Sequence, residues 1–352
     1  MSSSPASKVY IVSAKRTAIG KFGGSLVDAG PAYLGQVAAT ATFKSTAKEL
    51  VLREHIDEVI VGNVLGAGHG MNIARQVTLG AGLPVSVPAY TVNKVCGSGL
   101  KAITLGCQSI SSGDANVILA GGTESMSQAV FVSKGTRWGA KLGNVELSDL
   151  ILQDGLTDVF HSCHMGITAE NLATKFKISR EDQDAFAFES QMRAKEAISK
   201  GCFTEEITGV PLLKRDKVVG EFLVDEHPRG DATKESLSSL KPAFKSDGSV
   251  TAGNASGIND GAAMVLLASE EAVKKHGLTP LAEVLGWASN GVEPELMGLG
   301  PVGAVQKLCA KTKVKISEID LFEANEAFAS QALAVSRSLE LDPAKVNIYG
   351  GA

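Results

Sequence analysis

NKVCGSGLKAITLGCQSISSGDANVILAGGT, residues 93–123, is the stretch whose reading decides the fold. Leu100, Ile103, Cys107 and Ile110 recur at three- and four-residue spacing, which lays them on one face of a helix running from Ser98 to Ser112. Val117-Ile118-Leu119-Ala120 follows as an unbroken apolar run ending at Gly121-Gly122, the pattern of a strand covered on both faces. A helix that leads straight into a buried strand is the crossover unit of an α/β protein.

Outward from this stretch the alternation continues. Val9-Tyr10-Ile11-Val12 reads as a first strand, Ala32 to Leu50 as an Ala-rich helical stretch, and Glu58-Val59-Ile60-Val61-Gly62 as a second strand. From Glu124 to Asn254 the sequence turns polar and irregular, broken by one helix with Ser179 and Asp182 at its start and Gly201 at its end. That segment is expected to be an insertion forming a lid or recognition domain. Ala262 to Ala268 then reads as a strand, Ser269 caps a helix closed by Gly277, and Leu281 to Trp287 reads as another strand. Ile319 to Ala324 is expected to end as a strand, with Asn325-Glu326-Ala327-Phe328-Ala329 opening a helix. Asn325 would then occupy a strand-to-helix junction as Cys96 does, which suggests two related halves.

Composition narrows the function classes. With 352 residues, 44% hydrophobic and 20% charged, the chain can bury a large core divided among two or three domains. A formal net charge of -4 and the absence of a basic run with interleaved aromatics argue against nucleic acid as a partner. No stretch approaches the roughly 20 apolar residues of a membrane span, and Met1 to Lys8 carries no apolar signal core, so a soluble, cytoplasmic protein is expected. The six histidines show no metal-ligand spacing, and neither GxGxxG nor GxxxxGK is present, so no metal and no fixed nucleotide cofactor are expected.

Cys96, Cys107, Cys163, Cys202 and Cys309 are scattered without a CxxC pair, which fits free thiols in a reducing compartment. Four of them read as small buried apolar residues. Cys96 differs, because Asn93-Lys94-Val95-Cys96-Gly97-Ser98-Gly99 puts it just before a helix, where unpaired N–H groups and the helix dipole favour a thiolate.

That motif is followed by Ala120-Gly121-Gly122-Thr123-Glu124-Ser125-Met126-Ser127 and by His164-Met165-Gly166-Ile167-Thr168-Ala169-Glu170. Residues 250–263, VTAGNASGINDGAA, and the run Asn325 to Ala329 come next, so five motifs span nearly the whole chain. In this order they resemble those of the thiolase family. The resemblance implies a thiolase-like fold of duplicated, layered α/β halves: residues 1–123 with 256–280, an inserted CoA-recognition domain at 124–255, and a second half at 281–352. It implies that Cys96 takes the acyl group of acetyl-CoA or a 3-ketoacyl-CoA and that Asn325 helps build an oxyanion site through a bound water. Leu156, His164, Met165, Arg229, Ala252 and Ser256 would meet the pantetheine or nucleotide, and Met297, Ala327 and Phe328 the acyl pocket.

A histidine before Met-Gly is similar to the short-chain members, which implies acetyl-CoA C-acetyltransferase activity: ping-pong condensation of two acetyl-CoA to acetoacetyl-CoA and CoA. CoA thioesters would be substrates, with no cofactor, and a homodimer or homotetramer is implied. Alternatives are a longer-chain 3-ketoacyl-CoA thiolase, a non-catalytic acyl-CoA-binding relative, and a ketoacyl synthase, which would lack the Asn325–Ala329 run. Thiolases continue past the equivalent of Ala352 into a segment with a histidine and a second cysteine. A truncated second half and a nearly inactive 352-residue chain are therefore expected, and a peroxisomal address could lie beyond the residues given.

Overall fold

The computed structural model describes residues 7–215 and 217–351. Two compact units emerge: Met1–Gly155, Glu205–His227 and Ile258–Leu285 form the first, and Leu156–Thr204, Pro228–Gly257 and Gly286–Ala352 the second. Residues 124–255, read as one insertion, are shared between the two.

The first unit is built on an eight-stranded mixed sheet. Its main strands are β1 (Val9–Thr17), β2 (Glu58–Gly62), β3 (Ala89–Val92), β4 (Val117–Ser125) and β5 (Asn259–Ser269). Ile207–Thr208, β1, β5, β4, β2 and β3 lie side by side in that order. β5 runs antiparallel to β1 and to β4, whereas β2 runs parallel to β3 and β4. The apolar run at Val117 opens β4, whose first five residues are all buried. Alternate residues serve opposite faces. Val59, Val61, Leu119 and Leu266 join the core that holds Leu34, Ala38 and Phe43 of helix α1 (Pro31–Lys44). Ile118 and Leu267 face the other way, toward Gly106 of helix α2 (Ser98–Ser112).

α2 lies very close to the strand ends beneath it. A Cβ on Gly62 would fall 2.6 Å from the Gly99 nitrogen, so glycine at the end of β2 is what lets the start of α2 settle there.

The second unit holds helices α3 (Met165–Phe176), α4 (Arg180–Ser199), α6 (Gly300–Thr312) and α7 (Ala329–Leu339); α5 (Glu270–His276) belongs to the first. The punctuation read for α4 is realised, with the Ser179 side chain accepting from the Asp182 N–H. So is that of α5, capped by Ser269 and closed by Gly277 at φ +60°.

Three expected elements differ. Ala32 to Leu50 is not one helix: α1 ends at Lys44 and a short helix resumes over Glu49–Glu54. Only Ala282–Glu283 of the stretch Leu281 to Trp287 pairs with β1. Ile319 to Ala324 makes no strand, because Phe322 finds one bridging partner, Val346, and a ladder needs a run of them. Among the described residues, the second unit's sole named ladder joins Thr157–Asp158 to Cys163–His164, so its share of the expected second α/β layer is helix and loop.

Candidate active site

Cys96 lies in the first unit, two residues ahead of α2. The turn that carries it is unusual in its backbone. Val95 has φ +48°, a left-handed conformation that for a β-branched residue costs on the order of 1–3 kcal/mol. Three side-chain bonds hold it: the Val95 N–H donates to Asn93 Oδ1 at 2.9 Å, the Lys94 N–H to Ser98 Oγ at 2.8 Å, and Ser98 Oγ to the Val95 carbonyl at 2.6 Å. Ser98 is buried at 4% exposure, while Asn93 is exposed.

The Cys96 side chain reaches solvent, yet the protein atoms crowding it push its thiol up, opposed only by its own backbone N–H. The thiolate that the helix dipole was expected to favour is thus opposed by desolvation. Cys107, buried on α2, is pushed further, to about 11.

All the other expected site residues lie in the second unit. Met165, Met297, Ala327 and Phe328 share one apolar cluster with Ala169, Phe244, Val250 and Ala255. His164 joins it by stacking on Phe244 at 4.5 Å, and Phe244 meets Phe328 edge-on at 6.2 Å. His164 also caps α3: its Nδ1 accepts the Gly166 N–H at 3.0 Å, which leaves the proton of the neutral ring on Nε2. Burial lowers its pKa, favouring that neutral form. Ser256 is tied in through its N–H to the Ala327 carbonyl. Leu156, Arg229 and Ala252 are not part of the cluster; Leu156 is half-buried, and Arg229 and Ala252 are exposed.

Asn325 is exposed in a loop four residues before α7 and is not the helix cap, a position taken by Phe328. The loop is fixed by Asn347, which is 3% exposed. Asn347 accepts from the Ala324 N–H at 2.8 Å and donates to the Ala324 carbonyl at 2.8 Å and to Glu326 at 2.7 Å. Glu326 in turn accepts from Ser190 at 2.6 Å. Asn93, Ser98, Phe244 and Asn347 were not singled out from sequence. Their roles rest on side-chain to backbone bonds and one stacking contact, which leave no periodic signal.

Among the described residues, no group of three or more His, Cys, Asp or Glu is placed to hold a metal. No helix among them is long and apolar enough to cross a membrane. A cavity of about 240 Å³ opens in the first unit beside His55 and His276, and none of the expected site residues lines it.

The thiolase N-terminal domain model matches residues 9–271 and the thiolase C-terminal domain model residues 278–352. The chain therefore belongs to the thiolase family. Both family domains are represented, so the expected truncation of the second half is not supported. An acetyl-CoA acetyltransferase of Pseudomonas aeruginosa is 51% identical over 344 residues, 98% of this chain and 87% of that protein. A probable acetyl-CoA acyltransferase of Staphylococcus aureus is 51% identical over 349 residues, with the same coverage. Among solved structures, an acetyl-CoA acetyltransferase of Bacillus anthracis superposes with a TM-score of 0.95 at 42% identity, covering 99% of this chain and 87% of that one. Human mitochondrial 3-ketoacyl-CoA thiolase in complex with CoA gives 0.93 at 46% identity, covering 98% and 86%. The fold is the α/β fold of thiolases and the protein is an acyltransferase.

Proposed function

We propose that the chain is an acetyl-CoA C-acetyltransferase working through a Cys96 acyl-enzyme. The observation that carries this reading is the held turn at the start of α2, which fixes a cysteine thiol ahead of a helix. The Cys96 sulfur attacks the acetyl-CoA carbonyl, a carbon–sulfur bond forms, and CoA leaves as its thiolate, which takes up a proton. A second acetyl-CoA then loses a methyl proton, and its carbon attacks the thioester, releasing acetoacetyl-CoA and the Cys96 thiol. In this reading Asn325 supports the developing oxyanion through a water, and neutral His164 offers Nε2–H to a pantetheine carbonyl. Arg229, whose guanidinium is unpaired among the described residues, meets the nucleotide phosphates.

Short acyl chains suit a cluster filled by Met165, Met297, Phe244 and Phe328. A second reading, a thiolase for longer 3-ketoacyl-CoA, is favoured by the 46% identity to the human 3-ketoacyl-CoA thiolase, above the 42% to the Bacillus anthracis enzyme. Slow turnover of the 352-residue chain by itself belongs to the proposal, because burial pushes the Cys96 thiol up against only the lowering effect of its own backbone N–H.

Thiolysis of acetoacetyl-CoA by CoA, compared with a longer 3-ketoacyl-CoA, tests these points. The expected result is slow, ping-pong kinetics with the four-carbon substrate preferred. Faster cleavage of the longer substrate would favour the second reading, and turnover equal to that of a relative would refute the slow-chain proposal. CoA binding without any acyl transfer would favour the non-catalytic alternative. Light scattering of the same preparation tests the dimer or tetramer that goes with this reading.

A further inference from the structure

Among the described non-glycine residues with positive φ, Val95 is the only β-branched one. Lys177, Lys313 and Glu340 end helices as left-handed caps, where such a conformation is ordinary. Val95 instead precedes a helix, one residue before the thiol. A strained residue persists only if its surroundings over-determine it, and here the Asn93 and Ser98 side chains add to two backbone bonds of the turn, from the Ser98 N–H to the Val95 carbonyl and from the Gly97 N–H to the Lys94 carbonyl. The Ser98 hydroxyl is used in both directions, accepting the Lys94 N–H and donating to the Val95 carbonyl. Its proton is committed to the backbone, so it is not free to shuttle protons for the thiol. The Asn93 carbonyl oxygen is committed to the Val95 N–H.

We propose that Ser98 and Asn93 are positioning residues for acylation: they hold Val95 in its left-handed conformation and thereby set the direction of the Cys96 Cα–Cβ bond. This rests on the reading of Cys96 as the nucleophile. Without the clamp, Val95 relaxes toward ordinary β or α backbone and Cys96 rotates away from its attack direction. Thioester attack demands alignment of sulfur and carbonyl, whereas alkylation by a small diffusible reagent tolerates many directions. The clamp should therefore matter to the first reaction and hardly to the second.

The test uses the full chain, acetyl-CoA and iodoacetamide, with peptide mass mapping of Cys96 and the ratio of acetylation rate to alkylation rate as the readout. Ser98→Ala should lower the ratio by about tenfold or more, and Asn93→Ala, at an exposed position, by about threefold or more. Asn93→Asp, which keeps the accepting oxygen, should restore it to within about twofold of the native value. The decisive variant adds Val95→Gly to Ser98→Ala, since glycine takes the left-handed conformation without a clamp. It should recover most of the ratio. An unchanged ratio in Ser98→Ala and Asn93→Ala overturns the proposal, as does a loss that Val95→Gly does not reverse. If Ser98→Ala fails to fold, Asn93→Ala against Asn93→Asp decides. An acetyl group found on another cysteine of the native chain refutes the nucleophile reading itself, and the mapping distinguishes that failure from the others.

Discussion

Two loops, one in each unit, run into helices and carry Cys96 and Asn325, the residues to which the proposed chemistry is assigned, and they are fixed in opposite ways. The loop of Cys96 contains the strained residue, Val95, and is held by partners within its own seven-residue motif. The loop of Asn325 is held from outside by Asn347, itself left-handed at φ +45° and buried, 22 positions away in sequence. A locally held loop survives as long as its own motif is intact. A remotely held loop depends on the packing of the segment that supplies its partner. The first arrangement suits a group whose direction matters, and the second couples a loop to the stability of its unit.

The largest effect should come from removing the remote holder. Asn347→Ala deletes three hydrogen bonds and leaves the Ala324 groups without their partner, which should cost about 3 kcal/mol in urea unfolding. A cost below about 1 kcal/mol would mean that the loop is held by something else. Phe244→Ala removes the surface on which His164 stacks and that Phe328 meets edge-on, for about 2 kcal/mol given its half-buried position. Val95→Gly should be the mildest, within about 1 kcal/mol of the native chain, because relief of strain offsets the added freedom of glycine in the unfolded state. A loss near that of Phe244→Ala would show that Val95 is not strained.

A pH effect sharpens the same contrast. Burial lowers the His164 pKa, so the unfolded chain binds the proton more readily than the folded one. The stability tied to neutral His164 is complete above the unfolded value and is lost as pH falls below it toward the lowered folded value. Protonation of Nδ1 would also end its acceptance of the Gly166 N–H. Urea midpoints measured from pH 7.5 to 5 should fall more steeply for the native chain than for His164→Asn; parallel curves would contradict this.

Much of the first unit was legible in sequence because its strands are buried on both faces and read as apolar runs: Val117 to Ala120 and Val59 to Val61 fall inside β4 and β2. Helix ends marked by Ser179, Ser269 and Gly277 were equally plain, since capping chemistry is local. The second unit was harder to read. The apolar run at Ile319 looks like a strand, but a strand exists only where a neighbour supplies a ladder, and Phe322 has a single bridge. Phe244 stands among Lys, Pro and Ala with no periodic partner, so nothing in its surroundings announced the stack on His164. Motif resemblance brought Met165, Met297, Ala327 and Phe328 into consideration, and the structure gathers these four in one cluster. It could not reveal Ser98 or Asn347, whose contribution lies in what they do to the backbone of other residues.

The central claim, that Cys96 takes the acyl group, is tested most directly by incubating the chain with isotopically labelled acetyl-CoA, digesting it, and locating the thioester by mass. The account predicts a label, labile to hydroxylamine, on the peptide that contains Cys96. A label on Cys107, Cys163, Cys202 or Cys309 instead, or none on any cysteine while acetyl-CoA is bound, would contradict it.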